Sequence, residues 1–231
     1  MKFLQEANFD WMELLNFSEQ PFRAKLIPAK VWKDLDKYKN DSVGLTNYVK
    51  KWRTRIEWLP RSSSKLKSDR YITVGGEYDP HGRQITVSVY EMDYNKFNFT
   101  TRSWARFKFR FMQTLMHEVI HFMQFDRRDD QWSSYVVPYK KVGNKEQNLC
   151  RRYLSNFDEI QAYAHCVYLD FKMFRPTIDI NTLLKRHKKK KDSSTLHYFM
   201  GTFKYDFKNN PATKKIIQQI GKWDRKYSRM L

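Results

Sequence analysis

Glycine is scarce in this chain, at 7 of 231 residues. No glycine-rich loop stands ahead of a helix pattern, which argues against the phosphate-cradling turns of dinucleotide and nucleoside-triphosphate enzymes. Cysteine is scarcer still, with only Cys150 and Cys166. Two such residues build neither a disulfide framework nor a CxxC pair, so a reducing, intracellular setting is expected. No window approaches the roughly 20 apolar residues of a membrane span. The opening Met1-Lys2-Phe3-Leu4-Gln5-Glu6 reaches an acid before any apolar run, so no secretory signal is expected there. Internal repeats are absent too, which removes solenoids and propellers. Acidic residues are few, 25 against 44 Lys+Arg, for a net charge of +19.

Apolar residues are plentiful: 41% hydrophobic and 16% aromatic, enough for one sizeable core with an appended subdomain. The positive charge is dispersed. Taking away the densest run, Lys185-Arg186-His187-Lys188-Lys189-Lys190-Lys191, still leaves +13. A dispersed excess favours acidic partners such as nucleic acid or an acidic protein, and that run and the cations interleaved with aromatics over Trp104–Arg110 are the candidate contacts. The alternatives are a solvated loop or helix end for the run and core for the aromatics.

Residues 1–60 read as mostly helical. Pro28 opens one helix, and helical apolar spacing predicts another over Val43–Trp58, ending before Pro60. Arg61–Asp69 reads as a polar loop. Tyr71–Val74 and Gln84–Tyr90 read as strands of a small antiparallel hairpin, with Gly75, Gly76 and Asp79-Pro80-His81-Gly82 in a loose connection. A long helix is predicted over Ser103–Phe125, with Trp104, Phe107, Phe111, Leu115, Glu118 and Phe122 on one broad side. Asp126–Asp130 ends it, and a second long helix follows over Asn156–Phe174, stopped by Pro176. Shorter helices are predicted over Asn181–Lys188, Ser193–Met200 and Pro211–Tyr227.

Within the first long helix lies His117-Glu118-Val119-Ile120-His121, an HExxH sequence. Positions i and i+4 of a helix share a face, so both imidazoles reach one ion at about 2.0–2.1 Å. Glu118 is offset by about 100°, placed to reach a water beside that ion and not to ligate it. With 6 His and 9 Glu in the chain, random placement yields roughly 0.006 such matches. The flanks Met116, Val119, Ile120, Phe122 and Met123 are apolar, and a shared metal is one way to partner three polar groups in a buried helix.

A catalytic zinc needs a third protein ligand and an open position. Downstream of His121 stand Glu146, Glu159, His165, His187 and His197. Gln124 and Arg127 occupy the positions where HExxHxxGxxH would carry Gly and His, and His187 sits among lysines. Glu159 opens the second amphipathic helix and suits two helices presenting ligands to each other. Asn156-x-x-Glu159 is also a capping-box spacing, which would leave the ligand role to His165 or Asp158.

Hairpin strand, HExxH helix and then a helix bearing Asp158-Glu159-Ile160-Gln161-Ala162-Tyr163-Ala164 together resemble the gluzincin branch of the zincin-type metallopeptidases over roughly residues 70–175. The make-up, rich in lysine and aromatics and poor in glycine, is similar to that of bacteriophage proteins. The resemblance implies an α+β, mostly helical zincin-like domain with a small antiparallel sheet. It implies Zn2+ held by His117, His121 and Glu159, with Glu118 as general base and a peptide as substrate. The organisation expected is an N-terminal helical segment over 1–60, the zincin-like core over 61–175 and a basic helical extension over 176–231. Zincins add a Tyr or His donor for the developing oxyanion, for which Tyr135, Tyr139, Tyr163 and His165 are candidates.

Overall fold

The computed structural model describes residues 29–59, 73–90, 99–129, 131–141, 143–175, 177–190, 192–204 and 209–228. The expected loop over 61–69, Pro28, Tyr71, Ile72, Asp130 and Pro176 lie outside them. The fold is α+β and mostly helical, with 65% helix and one three-stranded mixed sheet. Two compact units divide the chain, Met1–Phe122 and Met123–Leu231.

In the first unit, α1 (Ala29–Asp34) runs into a 3-10 turn over Leu35–Tyr38. Helix α2 (Ser42–Val49) starts at Asp41, whose carboxylate accepts from the Gly44 amide at 2.7 Å. The helix expected over 43–58 ends early. Lys50–Trp52 tighten to 3-10, Arg53 takes a left-handed φ of 50°, and the chain leaves as strand β1 (Thr54–Leu59). Leu45, Val49, Trp52 and Ile56 keep helical spacing, but Thr54, Ile56 and Trp58 also alternate, and pairing with a neighbouring strand decides in favour of the second pattern.

That neighbour is β3 (Gln84–Tyr90), the centre of the order β1-β3-β2, with β2 over Thr73–Asp79. Strand β1 is parallel to β3 and β2 antiparallel to it, so the sheet is mixed, correcting the antiparallel expectation. The missed strand β1 is the reason. Gly75 and Gly76 belong to β2, paired with Ser88 and Val87, and are not part of the connection. The turn is the short stretch between the Asp79–Gln84 pair, where Asp79 accepts from the His81 amide at 3.0 Å. Ile85, Val87 and Val89 share one face with Thr54, Ile56 and Tyr78, and all six are buried.

Helix α3 (Thr101–Asp126) starts two residues before and ends one after its expected bounds. Trp104, Phe107, Phe111, Met112, Leu115, Met116, Val119 and Ile120 are all buried, more of the circumference than one amphipathic stripe. Lys108 is buried as well. Its ammonium bonds Asp36 at 2.6 Å and lies 4.3 Å from the Trp32 ring, and the Trp104 indole donates to the same Asp36 oxygen at 2.9 Å. These contacts fasten the first turns of the chain's described part to α3.

The second unit is helical. It comprises α4 (Lys145–Leu154), α5 (Phe157–Phe174), α6 (Ile180–Lys190), α7 (Ser194–Thr202) and α8 (Pro211–Ser228). Helix α5 is central, packed on α4, α7 and α8. Asn144, Asn156 and Ser193 cap α4, α5 and α7 with side-chain oxygens. Helix α4 was not expected, because few residues of KEQNLCRRYL are apolar and two of them, Leu149 and Tyr153, stay exposed. Among the described residues no helix is long and apolar enough to cross a membrane.

Candidate metal centre

The HExxH residues occupy the fifth and sixth turns of α3. His117, Glu118 and His121 are 8%, 5% and 4% exposed, so all three are withdrawn from solvent. One helical turn apart, the two imidazoles stand edge to face with Nε2 atoms 3.1 Å apart. Both rings thus turn the same nitrogen to one point.

Glu118 faces the sheet instead. Strand β2 runs along α3 with three matched contacts. Thr114 Oγ1 approaches the Val74 carbonyl at 3.5 Å, a Cβ at Gly76 would lie 2.6 Å from Glu118 Oε1, and the Tyr78 and Phe122 rings meet edge to face at 5.8 Å. Steps of two residues along a strand rise about 6.6 Å and steps of four along a helix about 6 Å, so the two elements stay in step. Residues 74, 76 and 78 therefore read against 114, 118 and 122.

In the second unit, the last turn of α3 is pinned to the first turn of α5. Gln124 Nε2 donates to the Asp158 carbonyl at 3.2 Å and to Gln161 Oε1 at 2.9 Å. Arg128 forms a two-pronged ion pair with the Asp158 carboxylate at 2.6 and 2.5 Å, and the Ser133 amide donates to the same group at 3.1 Å. The pairing raises the Arg128 pKa further. One ligand atom from each of His117, His121 and Glu159 lies within 4.8 Å of the others.

The alternative third ligands are engaged elsewhere. His165 Nε2 bonds the Tyr227 hydroxyl at 2.7 Å and its ring packs on Trp223 at 4.7 Å, inside the α5–α8 core. Asp158 holds Arg128. His187 is buried on α6, accepting from the Ser193 amide at its Nδ1 (3.2 Å), and Glu146 is exposed in the first turn of α4. The cap of α5 is Asn156, whose side chain accepts from the Asp158 amide at 2.9 Å. Its own backbone N–H goes to the Tyr153 carbonyl at 2.9 Å, the bond a capping-box Glu159 would otherwise accept.

Of the oxyanion candidates, Tyr135 is exposed and packs on Phe157, and His165 is held in the core. Tyr163 lies one turn beyond Glu159 and packs on Tyr198 and Phe199. Burial first, and the Glu159 charge second, push its hydroxyl pKa far up. Gly76, Gln124 and Arg128 were not picked out from the sequence as site residues. The signal for Gly76 was available, since a glycine within a strand pattern marks a close backbone approach. Compared with protein-family models, curated proteins and solved structures, the chain matches none.

Proposed function

We propose that this chain is a zincin-type zinc metallopeptidase of the gluzincin kind, with His117, His121 and Glu159 as ligands and Glu118 as general base. One observation supports it above others: two imidazoles and a carboxylate from two helices approach within 4.8 Å, while the neighbouring Glu118 stands apart against β2. The donor set suits zinc. Two Zn–N bonds of about 2.0–2.1 Å at a tetrahedral angle put their nitrogens about 3.3 Å apart, close to the 3.1 Å between the histidine Nε2 atoms. Three protein ligands also leave the fourth position that catalytic zinc requires.

Zinc bound there would supply Lewis acidity, drawing the pKa of a water toward neutrality and polarising a carbonyl. The protein's own part is proton transfer and placement. The Glu118 carboxylate takes a proton from the attacking water and hands it to the leaving amine. Among the described residues strand β2 is an outer strand of the sheet and runs past Glu118, so its edge suits an extended peptide added as a further strand. That makes a peptide the favoured substrate. A structural or nucleic-acid-binding protein on the same scaffold would have no need of Glu118, so its presence favours the enzyme.

Purified protein is expected to carry close to one equivalent of zinc, and His121→Ala to lose most of it. Glu118→Gln keeps the metal and loses nearly all turnover of a generic peptide substrate. Stoichiometric zinc in the first variant, or full activity in the second, overturns the proposal.

A further inference from the structure

Gly76 sits where a side chain has no room. A Cβ built on it would meet Glu118 Oε1 at 2.6 Å, Thr114 Cγ2 at 2.6 Å and Glu118 Cγ at 2.8 Å. Contacts below 3 Å oblige something to move, and two of these three atoms belong to Glu118. The residue is nevertheless exposed, so packing on its other side does not explain the glycine. It is paired with Val87 in regular β-structure and has no positive φ, so backbone conformation does not explain it either. Within a strand, glycine costs stability and leaves a gap in the packed surface. What remains is the close approach of the strand backbone to the acid.

The geometry points to Gly76 as a positioning residue for Glu118: its bare backbone is the wall that sets where the carboxylate of the base lies. This inference rests on Glu118 being the base. The matched contacts on either side, Val74 with Thr114 and Tyr78 with Phe122, hold strand and helix in register, so the wall has a fixed place. An added methyl leaves two ways out. Either the Glu118 side chain swings away, or β2 lifts off α3. Both move the carboxylate from the point where it meets the attacking water, and misplacement of a reacting group by about 1 Å costs up to about 100-fold in rate.

The test separates the contact from the catalysis. In metal-stripped protein, thermal midpoints are measured for wild type, Gly76→Ala, Glu118→Asp and the double variant, with Gly75→Ala as the control on the opposite face of the strand. Gly76→Ala is expected to lose more than Gly75→Ala, and shortening the acid by one methylene to restore part of that loss. Simple addition of the two losses, or equal effects at 75 and 76, would overturn the contact. In zinc-loaded protein Gly76→Ala is expected to keep its metal and its KM while kcat falls by tenfold or more. An unchanged kcat would overturn the positioning role. If Gly76→Ala does not fold, Gly76→Ala/Thr114→Ser/Glu118→Asp, which removes the obstructing methyl and shortens the acid, is expected to fold, and its failure also overturns the contact. A wild type with neither zinc nor turnover would overturn the proposed function and the catalytic role together, while the stripped-protein cycle still decides the contact.

Discussion

Four polar side chains of one helix, His117, Glu118, His121 and Gln124, are each more than nine-tenths buried. Burying such groups costs free energy unless each finds a partner, and each finds a different neighbour. The imidazoles approach each other, Glu118 lies along β2, and Gln124 bonds α5. The roles of the residues facing them separate by experiment. Glu159→Ala is expected to weaken zinc binding well beyond the roughly 10–100-fold typical of groups that only support a ligand. His165→Ala is expected to leave zinc affinity near wild type and to destabilise the fold by about 1–3 kcal/mol, since it removes a buried bond to Tyr227. Zinc titration with a competing chelator, alongside thermal unfolding, distinguishes them. The reverse result, with zinc lost in His165→Ala and kept in Glu159→Ala, would exchange their roles.

Between elements, the Arg128–Asp158 pair ties the first turn of α5 to the segment that follows α3. Asp158 is only 2% exposed and accepts from Arg128, Ser133 and, through its carbonyl, Gln124. Asp158→Asn keeps the shape and removes the charge. It is expected to cost about 1.5–3 kcal/mol, the range for hydrogen bonds to charged groups, and to loosen zinc by about tenfold through the adjacent Glu159. An unaltered thermal midpoint together with unaltered zinc affinity would mean the clamp contributes to neither. The long helices α3 and α5 were readable because their apolar spacing persists over several turns. Strand β1 was not, since six residues satisfy two periodicities at once and pairing with β3 breaks the tie. Helix α4 was missed because too few of its residues are apolar, although Asn144 ahead of Lys145 was a cap signal.

At the scale of the molecule the dominant feature is charge. Lys214, Lys222 and Arg225 line the exposed face of α8. Like charges gathered on a surface raise its affinity for anions, and we propose a polyanionic partner such as nucleic acid for this helix. Binding to a fluorescent DNA oligomer is expected to fall steeply with salt, and Lys222→Gln to reduce the slope of log affinity against log salt by about 1. Salt-independent binding, or none at low salt, would count against that partner.

The sequence by itself determined the chemistry of the α3 face. Two imidazoles at i and i+4 and a carboxylate at i+1 depend only on helical geometry, a local property readable from spacing. The mostly helical α+β class was implied by the resemblance and is the class the structure shows, and among the described residues no helix is long and apolar enough to cross a membrane. Tertiary structure alone decided which distant groups meet them. That His165 is held in the core of the second unit follows from which side of α5 packs against α8, where Trp223 and Tyr227 enclose its ring. That Gly76 lies on Glu118, and in a strand instead of a turn, follows from the pairing of β2 with β3 and its register along α3. Such contacts join residues tens of positions apart, and spacing along the chain carries no record of them. They form because strand edges must be paired and apolar faces covered, a condition met by the whole fold and not by any one segment.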